Sequence, residues 1–225
     1  MQLETKPPPV RAAFDLEQLD IPPGNTVQLR NISWEMFENI LEALGESYAV
    51  RLAYDNGILE FKMPLSGHED DKEMIGDLVK ALLEELDLEY RTLGSTTFKN
   101  KNMARGVEPD QCFYIENESA IRGKRSLDLS VDPPPDLAIE IDNTSDSRTR
   151  IDNYEALAVP ELWRYDGKKL QVSRLQKGKY VESGLSTIFP NPQLIAQITQ
   201  FVQESQTQGK VAAKKAFIAW VREQL

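Results

Sequence analysis

The spacing of apolar residues predicts a chain that combines helices with β-strands. Ser33 is a typical helix N-cap and Gly45 a typical helix end, and apolar residues recur between them at helical spacing. Apolar alternation on both sides of the turn sequence DNG (55–57) then predicts a β-hairpin. A longer helix is predicted from about Gly67 to Leu86, and its apolar stripe extends backwards to Asp71 and His68.

The second half of the chain carries further alternating and helical patterns. Strands are expected at about 90–99, 111–116, 137–141, 162–165, 170–175 and 180–182, and helices at about 146–158, 192–204 and 210–224. The run 137–141 is almost wholly apolar, which indicates a central strand covered on both faces. This order predicts an α/β or α+β fold, in which helices flank one central mixed sheet.

The same patterns divide the chain into three parts. Residues 1–30 are predicted to form an extended proline-rich arm, 31–190 the main domain, and 191–225 a C-terminal helical extension. The last helix mixes apolar and basic residues, so a membrane-surface helix is one interpretation. Docking on its own sheet or on a second subunit is preferred, because the chain is strongly acidic. The arm and the apolar tail together predict a homodimer.

Composition narrows the function classes. The 225 residues carry a net charge of -10, which weighs against tight nucleic-acid binding without a bound cation or a basic patch. A single cysteine and a single histidine exclude a Cys–His zinc site and an internal disulfide. The sequence contains neither a transmembrane run nor a secretory signal pattern, so a cytoplasmic protein without membrane contact is expected.

Three acidic residues lie at the ends of two apolar runs that are predicted to be strands. Asp110 heads one apolar run, and Glu140 and Asp142 end the next. Residues two apart share a face of a strand, so Asp110 would join the other two if the strands were neighbours. Buried carboxylates need partners, and Mg²⁺ (or Mn²⁺) would satisfy them. On spacing alone the favoured interpretation is structural: an Asx turn at Asp110, an arginine partner for Glu140 and a cap at Asp142.

A family resemblance favours the metal-site interpretation. The segments RGVEPDQCFYI, DLAIEID and YEALAVPELWRYD together resemble the Uma2 family, which is abundant in cyanobacteria. The resemblance covers about residues 68–190. It implies a restriction-endonuclease-like fold of the PD-(D/E)XK nuclease superfamily. It also implies that Asp110 and Glu140 occupy the active-site acid positions.

This chain departs from the superfamily pattern at the position of one lysine. The superfamily pattern expects a lysine two residues after the second acid, where this chain has Asp142. Many relatives carry a lysine four residues before the tyrosine that matches Tyr154, and Arg150 stands there. Arginine holds phosphate well but stays protonated, so it is a poor base. Lys101 and Lys124 are alternative sources of the lysine's role.

The sequence therefore supports two hypotheses of different class. The first is a metal-dependent nuclease acting on DNA or RNA, with Asp110, Glu140 and the Ile141 carbonyl as metal ligands. Arg150 replaces the lysine, and Glu69 or His68 assists; an exposed histidine at a helix start is the simpler alternative for His68. The second is a catalytically inactive, oligomeric binding or scaffold domain that keeps the nuclease fold.

Overall fold

The computed structural model describes residues 19–45, 48–94, 96–141 and 148–225. Most of the predicted arm lies outside the described residues, and so does Asp142. Among the described residues, no helix combines the length and the apolar character needed to cross a membrane.

The first half of the chain forms an antiparallel sheet of five strands. Its order is β1-β3-β2-β6-β5. The strands are β1 (Thr26–Arg30), β2 (Arg51–Asp55), β3 (Ile58–Lys62), β5 (Phe98–Asn100) and β6 (Arg105–Val107). Helix α1 (Trp34–Leu44) packs on this sheet, where the Phe37 ring stacks on Tyr54 with 4.6 Å between centroids. The Ser33 hydroxyl accepts a hydrogen bond from the Met36 N–H, so the predicted cap is confirmed, as is the hairpin.

A second, mixed sheet of six strands forms the centre of the molecule. Its order is β11-β10-β9-β8-β7-β4, and only the β8–β9 pair is parallel. The strands are β4 (Arg91–Leu93), β7 (Gln111–Tyr114), β8 (Leu137–Ile141), β9 (Glu161–Tyr165), β10 (Leu170–Gln176) and β11 (Lys179–Ser183). Every residue of β8 is buried, which confirms the predicted central strand.

The remaining helices cover both faces of the central sheet. They are α2 (Ser66–Glu85), α3 (Glu118–Ile121), α4 (Arg148–Ala156), α5 (Leu194–Gln208) and α6 (Lys210–Gln224). Helices α2, α5 and α6 share one apolar core with the sheet. Helix α4 contributes to a second core on the opposite face, together with strands of the five-stranded sheet. The C-terminal helices therefore dock on their own domain, as the preferred interpretation expected.

The α+β class is confirmed, but two details of the expected fold are corrected. The chain builds two sheets rather than one, and β1 lies in the stretch that was assigned to the arm. The predicted strand at 90–99 is also divided: β4 pairs with β7 in the central sheet, whereas β5 pairs with β6 in the other. Local alternation indicates a strand but cannot indicate the sheet that it joins.

Candidate active site

Asp110 lies beside the C-terminal end of β8. Strands β7 and β8 are antiparallel neighbours, with Gln111 opposite Ile139, and Asp110 directly precedes β7. Its carboxylate Oδ2 accepts a hydrogen bond of 2.9 Å from the Ile141 N–H. The condition set by the sequence, that the two strands be adjacent, is met. Asp110 and Glu140 thus belong to one buried region, each 4% exposed.

Glu140 is held by two residues of α4. It alternates with Ala138, which belongs to the core beneath α4, so its side chain faces that helix. Arg150 donates to both carboxylate oxygens, from Nε to Oε2 at 3.1 Å and from Nη2 to Oε1 at 2.7 Å. Tyr154 lies one helical turn later, and its hydroxyl also donates to Oε1.

The protonation states of these two partners follow from their surroundings. Burial is the largest single influence and would lower the pKa of Arg150, but the charge and hydrogen bond of Glu140, together with Tyr154 and Asp110, outweigh it and hold the pKa above the ordinary value. Burial, reinforced by Glu140, raises the pKa of Tyr154 well above that of a free phenol. At neutral pH, Glu140 therefore accepts hydrogen bonds from the positively charged guanidinium of Arg150 and from the neutral hydroxyl of Tyr154.

Lys62, at the end of β3, lies between the two acids. Its Nζ donates a hydrogen bond of 2.9 Å to the Ile141 carbonyl. The same Nζ lies 3.8 Å from Asp110 Oδ2 and 3.7 Å from Glu140 Oε2. The three groups that sequence analysis assigned to a metal therefore surround one ammonium group, and Lys62 is only 5% exposed.

Arg51 is the second cation from the five-stranded sheet. It lies directly opposite Lys62 in the β2–β3 register. Like charges in that position repel, and Asp110 relieves the repulsion because its Oδ1 lies 3.8 Å from Arg51 Nε. Glu69 approaches the other side of the guanidinium, with 3.5 Å between Oε1 and Nη2.

The other predicted site residues are placed at varying distance from this centre. The side chain of Glu69 is 44% exposed and reaches the acids only through Arg51. His68 is buried, as the extended stripe of α2 predicted, so the exposed-histidine alternative is wrong. Lys124 forms an ion pair with Asp132, and Lys101 is exposed in a 3-10 turn. Asp142 falls outside the described residues.

The donor set fits a hard cation that keeps much of its water. In the described part of the chain, no group of three or more His, Cys, Asp or Glu side chains could hold a metal ion. Two carboxylates and one backbone carbonyl nevertheless converge, as Lys62 shows. Mg²⁺ is commonly bound by one or two carboxylates plus water. Asp110, Glu140 and the Ile141 carbonyl therefore fit Mg²⁺ or Mn²⁺ with water completing the coordination shell.

An open cleft of about 480 Å³ adjoins the site. Its lining includes Arg51, Met63, Ser66, Glu69 and Lys72. Helix α2 begins at this cleft, and its N-cap Leu65 provides no side-chain hydrogen bond to the first turn. Arg51 and Lys72 favour an anion in the cleft, and both also pair with Glu69; the His68 N–H of the first turn is already bonded to the Leu65 carbonyl. The cleft therefore suits a phosphate group, even though the net charge of the whole chain is negative.

Sequence reasoning missed Lys62 and Arg51. Lys62 alternates with Phe61 and Met63 along β3, and a charged residue on the alternate face of a hairpin is normally assigned to solvent. That face is buried here, because the region around Ala53 packs against the central sheet and α4. The sequence shows that Lys62 and Arg51 are charged. Their burial depends on how the five-stranded sheet packs against the central sheet, which a sequence pattern does not indicate.

A model of a known protein family matches most of the chain. The model of the Uma2 family, described as "Putative restriction endonuclease", matches residues 34–213. The chain belongs to the Uma2 family. The Uma2 match begins at α1 and ends within α6, so it extends beyond residue 190.

The chain is also similar to solved structures, among them a crystal structure from a cyanobacterium, although no curated protein matches it. That crystal structure is titled as "a putative nuclease belonging to DUF820 from Anabaena variabilis ATCC 29413". The two chains are 16% identical, and the similarity covers 72% of this chain and 96% of the other, with a TM-score of 0.47. The family assignment rests on the Uma2 match alone.

Proposed function

We propose that this Uma2 protein is a metal-dependent nuclease that hydrolyses phosphodiester bonds of DNA or RNA. The observation that carries the proposal is the convergence of Asp110, Glu140 and the Ile141 carbonyl on one point. Family membership supports a nuclease-like function, because the family is described as "Putative restriction endonuclease". The cleft beside Arg51 and Lys72 provides space and positive charge for the phosphate.

Each residue has a defined part in this proposal. Asp110 and Glu140 would hold Mg²⁺ or Mn²⁺, which when bound would supply Lewis-acid polarisation of the phosphate and an activated water. Arg51 contacts the phosphate from the cleft, since a guanidinium matches phosphate oxygens well. Arg150 and Tyr154 fix the position of the Glu140 carboxylate from α4. Glu69 orients Arg51, and His68 supports the first turn of α2 from inside.

Cleavage assays with matched variants test this proposal. Wild-type protein is incubated with single- and double-stranded DNA and with RNA, in Mg²⁺, Mn²⁺ or EDTA. Cleavage is expected only with metal, and Asp110→Asn and Glu140→Gln are expected to abolish it. Asp77→Asn is the control, because it removes one exposed acid of α2 and changes the net charge equally. Absence of metal-dependent cleavage by the wild type, or full activity of Asp110→Asn, would contradict the proposal.

One observation favours the second candidate, an inactive binding or scaffold domain. The two buried carboxylates are already balanced by cations of the chain itself: Arg51, Lys62 and Arg150. Titration calorimetry with Mn²⁺ separates the candidates. Binding that disappears in Glu140→Ala supports the nuclease, whereas no binding by the wild type supports the scaffold.

The homodimer and the cytoplasmic location remain proposals. The apolar side of α6 packs within its own domain, so the dimer no longer draws support from the tail. The dimer proposal therefore depends on the proline-rich arm. Size-exclusion chromatography with light scattering, on the full chain and on a variant lacking residues 1–18, tests it. A dimer that dissociates without the arm is the expected outcome, and a monomeric full chain would contradict it.

A further inference from the structure

We infer that Lys62 is the built-in counter-cation of the site, and that a divalent ion binds only by displacing its ammonium group. This inference rests on the proposed metal site but goes beyond it, because it adds a residue that competes with the metal. It concerns β3 of the five-stranded sheet, which supplies none of the acids.

The ammonium group of Lys62 lies where a bound ion would lie. Lys62 Nζ lies 2.9 Å from the Ile141 carbonyl oxygen and within 4 Å of one oxygen of each carboxylate. An ion bound directly to these oxygens would lie about 2.0–2.1 Å from each of them. Such an ion and the ammonium would occupy the same volume. They cannot be present together in this arrangement.

Arg150 and Lys62 differ in their freedom to move. Arg150 is fixed, because it donates to both oxygens of Glu140 and also to the carbonyls of Leu52 and Glu108. Within the described residues, Lys62 has a single hydrogen bond of ordinary length and two longer ion pairs. Its ammonium is carried on a flexible four-carbon chain, unlike the planar guanidinium. Lys62 is therefore the cation that yields to a metal.

The displaced ammonium group of Lys62 needs space outside the site. A void lined by Lys62, Glu140 and Arg150 has a volume of only about 10 Å³, hardly enough for one water molecule. The cleft of about 480 Å³ lies beside the neighbouring residues Arg51 and Met63. The displaced ammonium is therefore expected to turn towards the cleft, where it becomes accessible and adds positive charge close to the phosphate position.

Metal affinity of a Lys62 variant tests the competition. Lys62→Met removes the ammonium and keeps most of the side-chain volume. By calorimetry, it is expected to bind Mn²⁺ at least about tenfold more tightly than the wild type, because the competing charge is gone. Lys80→Met is the matched control: it makes the same change on α2 outside the cleft lining, where Lys80 pairs with Asp77. The control is expected to keep the wild-type affinity.

Thermal unfolding gives a second readout that does not depend on activity. Without metal, Lys62→Met leaves Asp110 and Glu140 with less compensation and is expected to unfold at a lower temperature than the wild type. With saturating Mn²⁺ it is expected to gain more stability than the wild type gains. Unchanged or weaker Mn²⁺ binding by Lys62→Met, or no binding by either protein, would overturn the inference.

The wild type provides a test if the variant does not fold. Acetylation of lysines by an N-hydroxysuccinimide ester, followed by peptide mass spectrometry, reports the accessibility of Lys62. Labelling of Lys62 is expected to rise severalfold in saturating Mn²⁺, while labelling of Lys72 stays constant. A Lys62 that remains protected in Mn²⁺ would contradict the displacement.

These measurements keep the two proposals apart. Tighter Mn²⁺ binding by Lys62→Met, without cleavage of any nucleic acid, would support the counter-cation and reject the nuclease. Metal-dependent cleavage by the wild type, with equal Mn²⁺ affinities in both proteins, would support the nuclease and reject the counter-cation.

Discussion

At the scale of single residues, the Tyr154 hydroxyl is a buried contact that holds one oxygen of Glu140. It donates to Glu140 Oε1, an oxygen that Arg150 also contacts, and the tyrosine is almost fully buried. A hydrogen bond from a neutral donor to a buried carboxylate contributes more than an average one. The phenol thus stabilises both the fold and the position of a proposed metal ligand.

Tyr154→Phe is expected to lower the free energy of unfolding by about 1.5–3 kcal/mol at about pH 8, because it removes one of the two donors to the buried Oε1 of Glu140. Urea unfolding followed by circular dichroism measures the change. Tyr90→Phe is the control, since Tyr90 donates to Glu84 in an exposed hydrogen bond. An effect of Tyr154→Phe no larger than that of Tyr90→Phe would contradict the assigned role.

The difference in stability between the wild type and Tyr154→Phe is expected to depend on pH. The pKa of Tyr154 is raised in the folded state, so the unfolded chain loses this proton first as pH rises. The stabilisation is complete below the ordinary phenol value of about 10 and decreases above it. The difference between wild type and Tyr154→Phe is therefore expected to narrow from about pH 8 to about pH 11. A difference that widens over this range would contradict the raised pKa.

At the scale of elements, the contact between β6 and α1 is unusually close. A Cβ built on Gly106 would lie 3.0 Å from Phe37 Cζ and 3.2 Å from its Cε1. Phe37 is fully buried and stacked on Tyr54, so it has little room to move. Gly106 therefore sets the distance between the helix and the sheet that carries Arg51 and Lys62.

Gly106→Ala is expected to destabilise the protein by about 1–3 kcal/mol through overpacking. Thermal or urea unfolding measures the loss. Gly184→Ala is the comparison, because nothing lies within 4 Å of a Cβ at that position. Its effect is expected to stay within about 0.5 kcal/mol. If the two variants were equally stable, the close packing described for β6 would be incorrect.

Sequence patterns predicted these elements well where local chemistry determines them. Ser33 and the DNG turn marked α1 and the first hairpin, and the apolar run at 137–141 marked β8. The convergence of Asp110 and Glu140 could be stated only as a condition, because adjacency of β7 and β8 is a tertiary property. The burial of Lys62 was not predictable from alternation, since it requires the second sheet to cover that face.

At the scale of the whole molecule, the last two helices belong to the main core. Phe217 of α6 is fully buried and packs against Phe201 of α5, with 5.6 Å between ring centroids. Ion pairs join α6 to both ends of α2: Lys210 to Asp70 at 2.8 Å and Arg222 to Glu85 at 2.7 Å. The helix that begins at the cleft is thus supported by the C-terminal part of the chain.

Phe217→Ala is expected to cost about 3–5 kcal/mol, because it opens a cavity in this shared core. Val211→Ala on the same helix is the control, since Val211 is 69% exposed. Chemical unfolding followed at two wavelengths measures both variants, and the loss is expected in a single transition. A separate early transition confined to the C-terminal helices would contradict a shared core.

The Arg51–Lys62 pair has a consequence for how the hairpin aligns. These residues face each other across β2 and β3, and both reach the acids beneath them. Sliding one strand by a single position would turn its cation to the opposite side of the sheet. Asp110 would then lose that ion pair, so mispairing is penalised electrostatically as well as by packing. Correct alignment of the hairpin is therefore a condition for assembling the charged centre.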